Sequence, residues 1–206
     1  IMVKKINSNS LNIVAYHYVR EIKKSKYPKI NGIEFSLFKK QIKYFKKKFN
    51  ILPLEDTIEI INKKKNYTLK KPLLALTFDD GYKDHFDYVF PTLVKEKIIG
   101  FFYPPTDIFK KKILNVNKLQ FVLSVAKNKK KLIDEILLFL KKSRINLKIN
   151  NQIQLHNKKI PEFDDFDTLT IKRIVYKSVS QDMSNKICNY LFKKYLKVNL
   201  KSLLKN

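Results

Sequence analysis

The segment from Leu73 to Gly81, Leu-Leu-Ala-Leu-Thr-Phe-Asp-Asp-Gly, constrains this chain more than any other: an apolar run without polar alternation stops at two carboxylates and a glycine. Such a run suits a strand buried on both faces in a parallel sheet. In sheets of that kind, ligand and catalytic groups gather at the carboxyl ends of the strands, where the backbone leaves the core. Asp79 and Asp80 fall at that end. Successive strand side chains point to opposite faces, so one carboxylate can hold a metal while its neighbour takes a proton from a metal-bound water. Gly81 lets the chain turn sharply. The plainer alternative is that Asp-Asp-Gly opens a loop and Asp80 caps the helix behind it.

Further blocks flank this one in order. Tyr16-His17-Tyr18-Val19-Arg20 lies upstream; Thr77-Phe78-Asp79-Asp80-Gly81-Tyr82 is followed by Val89-Phe90-Pro91-Thr92-Leu93 and by Gly100-Phe101-Phe102-Tyr103-Pro104-Pro105-Thr106. Together they resemble the first half of the polysaccharide deacetylase family, the NodB-homology carbohydrate esterases. The resemblance implies an α/β protein with a distorted (β/α) barrel, and a metal-dependent hydrolase that removes N-acetyl groups from a polysaccharide or glycan. It also implies roles residue by residue: Asp79 matches the general base and Asp80 the metal-binding aspartate of a divalent cation site, zinc being the expected metal. Tyr82, His17 and Thr106 are the residues expected to meet substrate.

The family's remaining ligands are a histidine pair further along, and its leaving group is protonated by a later histidine. The histidines here are His17, His85 and His156, and no two have a chelating spacing. A catalytic zinc takes three protein ligands. Asp80 alone therefore predicts weak metal binding at best, unless His17 or another group completes the site. The expectation is a single domain over residues 1–206 that corresponds to the N-terminal portion of a deacetylase. It carries the first motif only, an incomplete barrel, and a helical and hairpin insertion over about residues 114–206.

With 206 residues and 44% hydrophobic content the chain can bury a core as one domain. Ile1 precedes Met2, a hint that the start is something other than a simple initiator methionine. No apolar segment of membrane-spanning length appears and the first ten residues lack the apolar centre of a secretory signal, which predicts a cytoplasmic protein or one peripheral at the cell envelope. The single cysteine, Cys188, excludes an internal disulfide and a cysteine-based zinc site, and its place in an apolar helical pattern predicts a buried thiol.

The formal charge of +26 would ordinarily suggest a polyanion partner. Nearly all of it is lysine, however. Only Arg20, Arg144 and Arg173 are arginines, the residue favoured for bidentate phosphate contacts, and no nucleic-acid motif is present. The scattered lysines fit a solvated surface and a compositional bias. A non-catalytic glycan-binding relative and a basic polyanion binder are the alternatives to the hydrolase.

Along the chain, Leu11–Tyr16 reads as the first strand, with His17 at its end as either a site residue or a hydrogen-bonded core histidine. Ser36 would cap a helix whose Phe38, Ile42, Phe45 and Phe49 form one apolar stripe. Ile51-Leu52 reads as a short strand, and Glu55 to Lys65 as a helix with acidic residues first and lysines last, as its dipole favours. Asp84–Phe90 predicts a short helix with His85 on its exposed face, Pro91 either kinking it or opening another. Ile98–Tyr103 is the next buried strand, stopped by Pro104-Pro105, and Thr106 and Asp107 either line the site or cap the next turn. Helices are expected over 114–126, 131–142, 168–177 and 184–205, with a β-hairpin over 145–155 turning at Asn150-Asn151, His156 at the surface, and the acidic stretch 161–167 as linker and cap.

Overall fold

The structure is a computed structural model that describes residues 11–62, 71–110, 112–145 and 164–197. The expected hairpin turn and His156 lie outside the described residues. The chain divides into two compact units, the first comprising Ile1–Lys26 and Gly32–Lys110, the second Tyr27–Asn31 and Lys111–Asn206.

The first unit is α/β. Its sheet is parallel: β1 (Leu11–Tyr16) pairs along its whole length with β5 (Leu73–Asp79), while β4 (Asn50–Ile51) and β6 (Phe101–Tyr103) pair with the two ends of β5. A separate parallel pair joins β2 (Val19–Arg20) to β3 (Ile33–Glu34). Helix α1 (Phe35–Lys48) lays Phe38, Ile42 and Phe45 onto Leu74, Leu76 and Phe78 of β5, with Val89 and Leu93 completing the cluster. The stripe is the one the 3.6-residue spacing predicts. The helix starts one residue before Ser36, so Ser36 sits inside the first turn and caps nothing; Glu34 occupies the cap position without a side-chain bond to the helix, its carboxylate accepting instead from the Lys23 amide.

Helix α2 (Leu54–Ile61) follows β4, with Glu55 and Asp56 in its first turn. After β5, a π-helical turn over His85–Val89 runs into α3 (Phe90–Glu96). Pro91 lies in the first turn of α3; it has no N–H to give, so a regular ladder cannot pass through it. Lys97 ends α3 in the left-handed region at φ 55°. Gly100 then brings the chain against β5 so closely that a Cβ there would lie 2.6 Å from the Phe78 ring and 2.8 Å from Leu93. A 3₁₀ turn over Thr106–Lys110 follows β6.

The central strand is enclosed on both faces over Leu73–Leu76, as expected, and opens on one face only at its carboxyl end. Leu74, Leu76 and Phe78 face the helices and are fully buried. On the opposite face Leu73, Ala75 and Phe101 are buried, Thr77 and Asp79 are half-buried, and Ile13, Ala15 and Tyr103 are exposed.

The second unit is helical among the described residues. Helices α4 (Asn115–Val125), α5 (Lys129–Lys142), α6 (Phe166–Lys177) and α7 (Gln181–Leu196) share one core of Leu119, Val122, Leu132, Ile136, Leu140, Ile171, Ile174, Ile187 and Leu191. Asn128, Asp165 and Ser180 cap α5, α6 and α7 through their side chains. Asp165 belongs to the acidic stretch read as linker and cap. The last helix begins at Gln181, earlier than its expected start at Ser184, and closes at Lys197 in the left-handed region. Cys188 is buried in this core, and burial pushes its thiol up to about 11, so it stays a neutral packing group.

Candidate active site

Asp79 is the last residue of β5 and lies on the sheet face away from α1. Its register partner on β6 is Tyr103. Asp80 turns out of the strand at φ 71° and Gly81 follows at φ 61°. Two successive left-handed residues make a tight reversal for which Asp-Gly is the favoured pair. The Asp80 amide donates to the Tyr103 carbonyl at 3.2 Å, so the turn is stitched to β6. A Cβ on Gly81 would meet Ile108 at 2.8 Å and Pro104 at 3.0 Å, so the segment after β6 closes over the turn and only glycine fits.

The two carboxylates differ in their partners. Asp80 accepts a hydrogen bond from the Tyr82 hydroxyl at 2.6 Å. It caps no helix. Burial, with the Asp80 carboxylate and Tyr18 adding to it, holds the Tyr82 phenol far above its ordinary value, so the hydroxyl remains a donor at any physiological pH. Among the described residues, no side chain pairs with the Asp79 carboxylate.

Behind the turn, the segments leaving β1 and β5 are fastened together. The Tyr18 and Tyr82 rings stack with centroids 3.9 Å apart, Arg20 pairs with Asp84 at 2.6 Å, and the Arg20 guanidinium lies 4.9 Å from the centre of the Tyr18 ring. Burial pushes the Asp84 carboxyl up, while Arg20 pulls the other way. His85 is the clearest departure from expectation. It is buried at 4% exposure, with Nε2 donating to the His17 carbonyl oxygen at 2.8 Å and its ring packed against Phe78, Tyr82 and Phe102. A carbonyl only accepts, which fixes the neutral Nε2–H tautomer. Desolvation holds the imidazole below its ordinary value despite the His17 carbonyl and the nearby Asp84, Asp80 and Asp79, which favour protonation.

The candidates named from sequence therefore occupy different positions. Asp79, Asp80 and Tyr82 converge at the end of β5. The His17 side chain is exposed, and its contribution to the cluster is its backbone oxygen. Thr106 is exposed and opens the 3₁₀ turn after Pro104-Pro105. Tyr18, Arg20, Asp84 and His85 were not singled out from the sequence as parts of the site. The rarity of arginine was a usable signal for Arg20, since an arginine retained among lysines marks a place where its planar charge is needed.

Among the described residues, the donors in place do not make up a divalent-metal site: no group of three His, Cys, Asp or Glu side chains gathers. Asp80 shares its carboxylate with Tyr82, and the His85 Nε2 is taken by a backbone carbonyl.

No family model matches the chain, and no curated protein matches it. Solved structures similar over part of their length include the following three. A de-N-acetylase from Aggregatibacter actinomycetemcomitans is 26% identical, with 46% of this chain and 37% of that one covered at a TM-score of 0.37. The Streptococcus pyogenes deacetylase PplD, in complex with acetate, is 18% identical over 54% of this chain and 51% of its own, with a TM-score of 0.42. IcaB from Ammonifex degensii is 22% identical over 55% and 51%, with a TM-score of 0.39. The chain thus spans about half, or less, of the solved structures it matches.

Proposed function

We propose that this chain is part of a polysaccharide deacetylase-like hydrolase acting on N-acetylated glycans. The observation that carries the reading is the division between the two carboxylates at the end of β5. Asp79, half-buried and unpaired among the described side chains, is suited to accept the proton of an attacking water. Asp80, immobilised by Tyr82 and by the turn, is suited to a fixed electrostatic or ligand role. Asp80 would supply one carboxylate to a cation such as zinc.

The test is acetate release from an N-acetylglucosamine oligosaccharide, with and without added zinc, by the wild-type chain and by Asp79→Asn. The hydrolase reading expects release that falls about 10²- to 10⁴-fold in the variant. Equal release by both proteins removes Asp79 from its role. A second reading, a non-catalytic glycan-binding relative, is favoured by the lack of a three-ligand cluster among the described residues. Oligosaccharide binding without acetate release would support it over the first.

A further inference from the structure

We propose that Tyr103 is the sugar-stacking residue of this site and the first determinant of how a glycan lies over Asp79; the inference rests on the glycan reading just given. The placement follows from the register of the sheet. Phe78 pairs with Phe102 and their rings stack at 5.0 Å, with Phe78 also contacting Phe38 of α1. The next register pair, Asp79 with Tyr103, must then lie on the opposite face, away from the helices. On that face Tyr103 is 52% exposed, although a tyrosine in a strand ordinarily covers its ring against neighbours. Its backbone is firmly held even so, because its carbonyl accepts the Asp80 amide. The result is an exposed tyrosine on a hydrogen-bonded strand end, in register with a carboxylate.

That pairing suits one ligand chemistry. A pyranose ring presents a patch of weakly positive C–H groups on one side, which seats on the negative face of an aromatic ring, and hydroxyl and amide donors at its rim, which a carboxylate can accept. On the same face Thr77 and Ala15 are small, while Phe101, two residues before Tyr103, is buried and leaves Tyr103 as the exposed ring of β6 on that side. A glycan stacked on Tyr103 brings its rim substituents over Asp79, so Tyr103 sets the orientation and Asp79 meets the acylamino group.

The probe is chitotetraose, titrated into the full chain by NMR and observed through saturation transfer and through the shifts of the sugar ring protons. Wild type is expected to bind, with C–H protons of one sugar shifted upfield by the ring current. Tyr103→Ala should weaken binding about tenfold and abolish that shift, whereas Tyr103→Phe, which keeps the ring, should stay within about twofold of wild type. Asp79→Asn should keep the upfield shift. Binding by Tyr103→Ala equal to wild type overturns the stacking role and leaves the glycan reading standing; an equal loss in Tyr103→Phe also overturns it, by assigning the contact to the hydroxyl. Absence of binding by wild type overturns both. Because Tyr103 is exposed, unchanged thermal unfolding of the alanine variant is expected and separates loss of binding from loss of fold.

Discussion

Tyr82 and His85 stand three residues apart and are neutral for opposite reasons: burial raises the phenol and lowers the imidazole, in each case disfavouring the charged form. Tyr82→Phe removes the donor that holds Asp80 and should cost about 1 kcal/mol by urea unfolding; a stability equal to wild type would mean that water replaces the hydroxyl without penalty. For His85 the sign is fixed by its direction. Its folded value lies below the ordinary 6.5, so the unfolded chain binds the proton more readily. Stability from the neutral imidazole is present above that value, declines as pH falls through it, and is lost below the folded value. His85→Gln should flatten the pH dependence of the unfolding free energy in this window, measured by denaturant titrations at stepped pH. At this scale the sequence revealed the pair Asp79 and Asp80 but not their fastening. The Tyr18, Arg20 and His85 contacts join positions more than sixty apart in the chain, and no local spacing encodes them.

The central strand was legible from its unbroken apolar run and the helix stripe on it from its 3.6-residue spacing, two signals that survive whatever surrounds them. Phe38, Ile42 and Phe45 of α1 pack where their spacing puts them. Boundaries were less legible: the strand expected over Ile98–Tyr103 pairs only at Phe101–Tyr103, opposite Thr77, Phe78 and Asp79. His85 lies on the buried side and not on the exposed face expected for it, within a π-helical turn over His85–Val89 where an ordinary short helix is expected. At the element scale Gly100 lies tight against Phe78, where a Cβ would be 2.6 Å from the ring. Gly100→Ala should destabilise the first unit by about 1–3 kcal/mol, read by chemical denaturation, because its Cβ would meet an aromatic ring already packed on three sides. No loss would require the Phe78 ring to slide, and its ring-current shifts would move.

For the whole molecule, charge and core are the two determinants. Each compact unit carries its own buried cluster, one around β5 and one among α4 to α7. No helix among the described residues is long and apolar enough to cross a membrane. With a net charge of +26 spread mostly as lysine, self-repulsion works against the compact state and salt should relieve it. The thermal midpoint is expected to rise between about 0.01 and 0.15 M sodium chloride; a fall would mean that specific ion pairs, such as Arg20 with Asp84, outweigh the repulsion.

The unequal faces of β5 also bear on how such a chain can change over generations. Positions 74, 76 and 78 answer to the helices, while 77, 79 and the neighbouring 103 answer to whatever occupies the open side. Because the two sets alternate along one backbone, a lineage can exchange the second set, and with it a preferred ligand, without renegotiating the first. A mutational library confined to residues 15, 77 and 103 should accordingly return mostly folded proteins, whereas one confined to 74, 76 and 78 should return few.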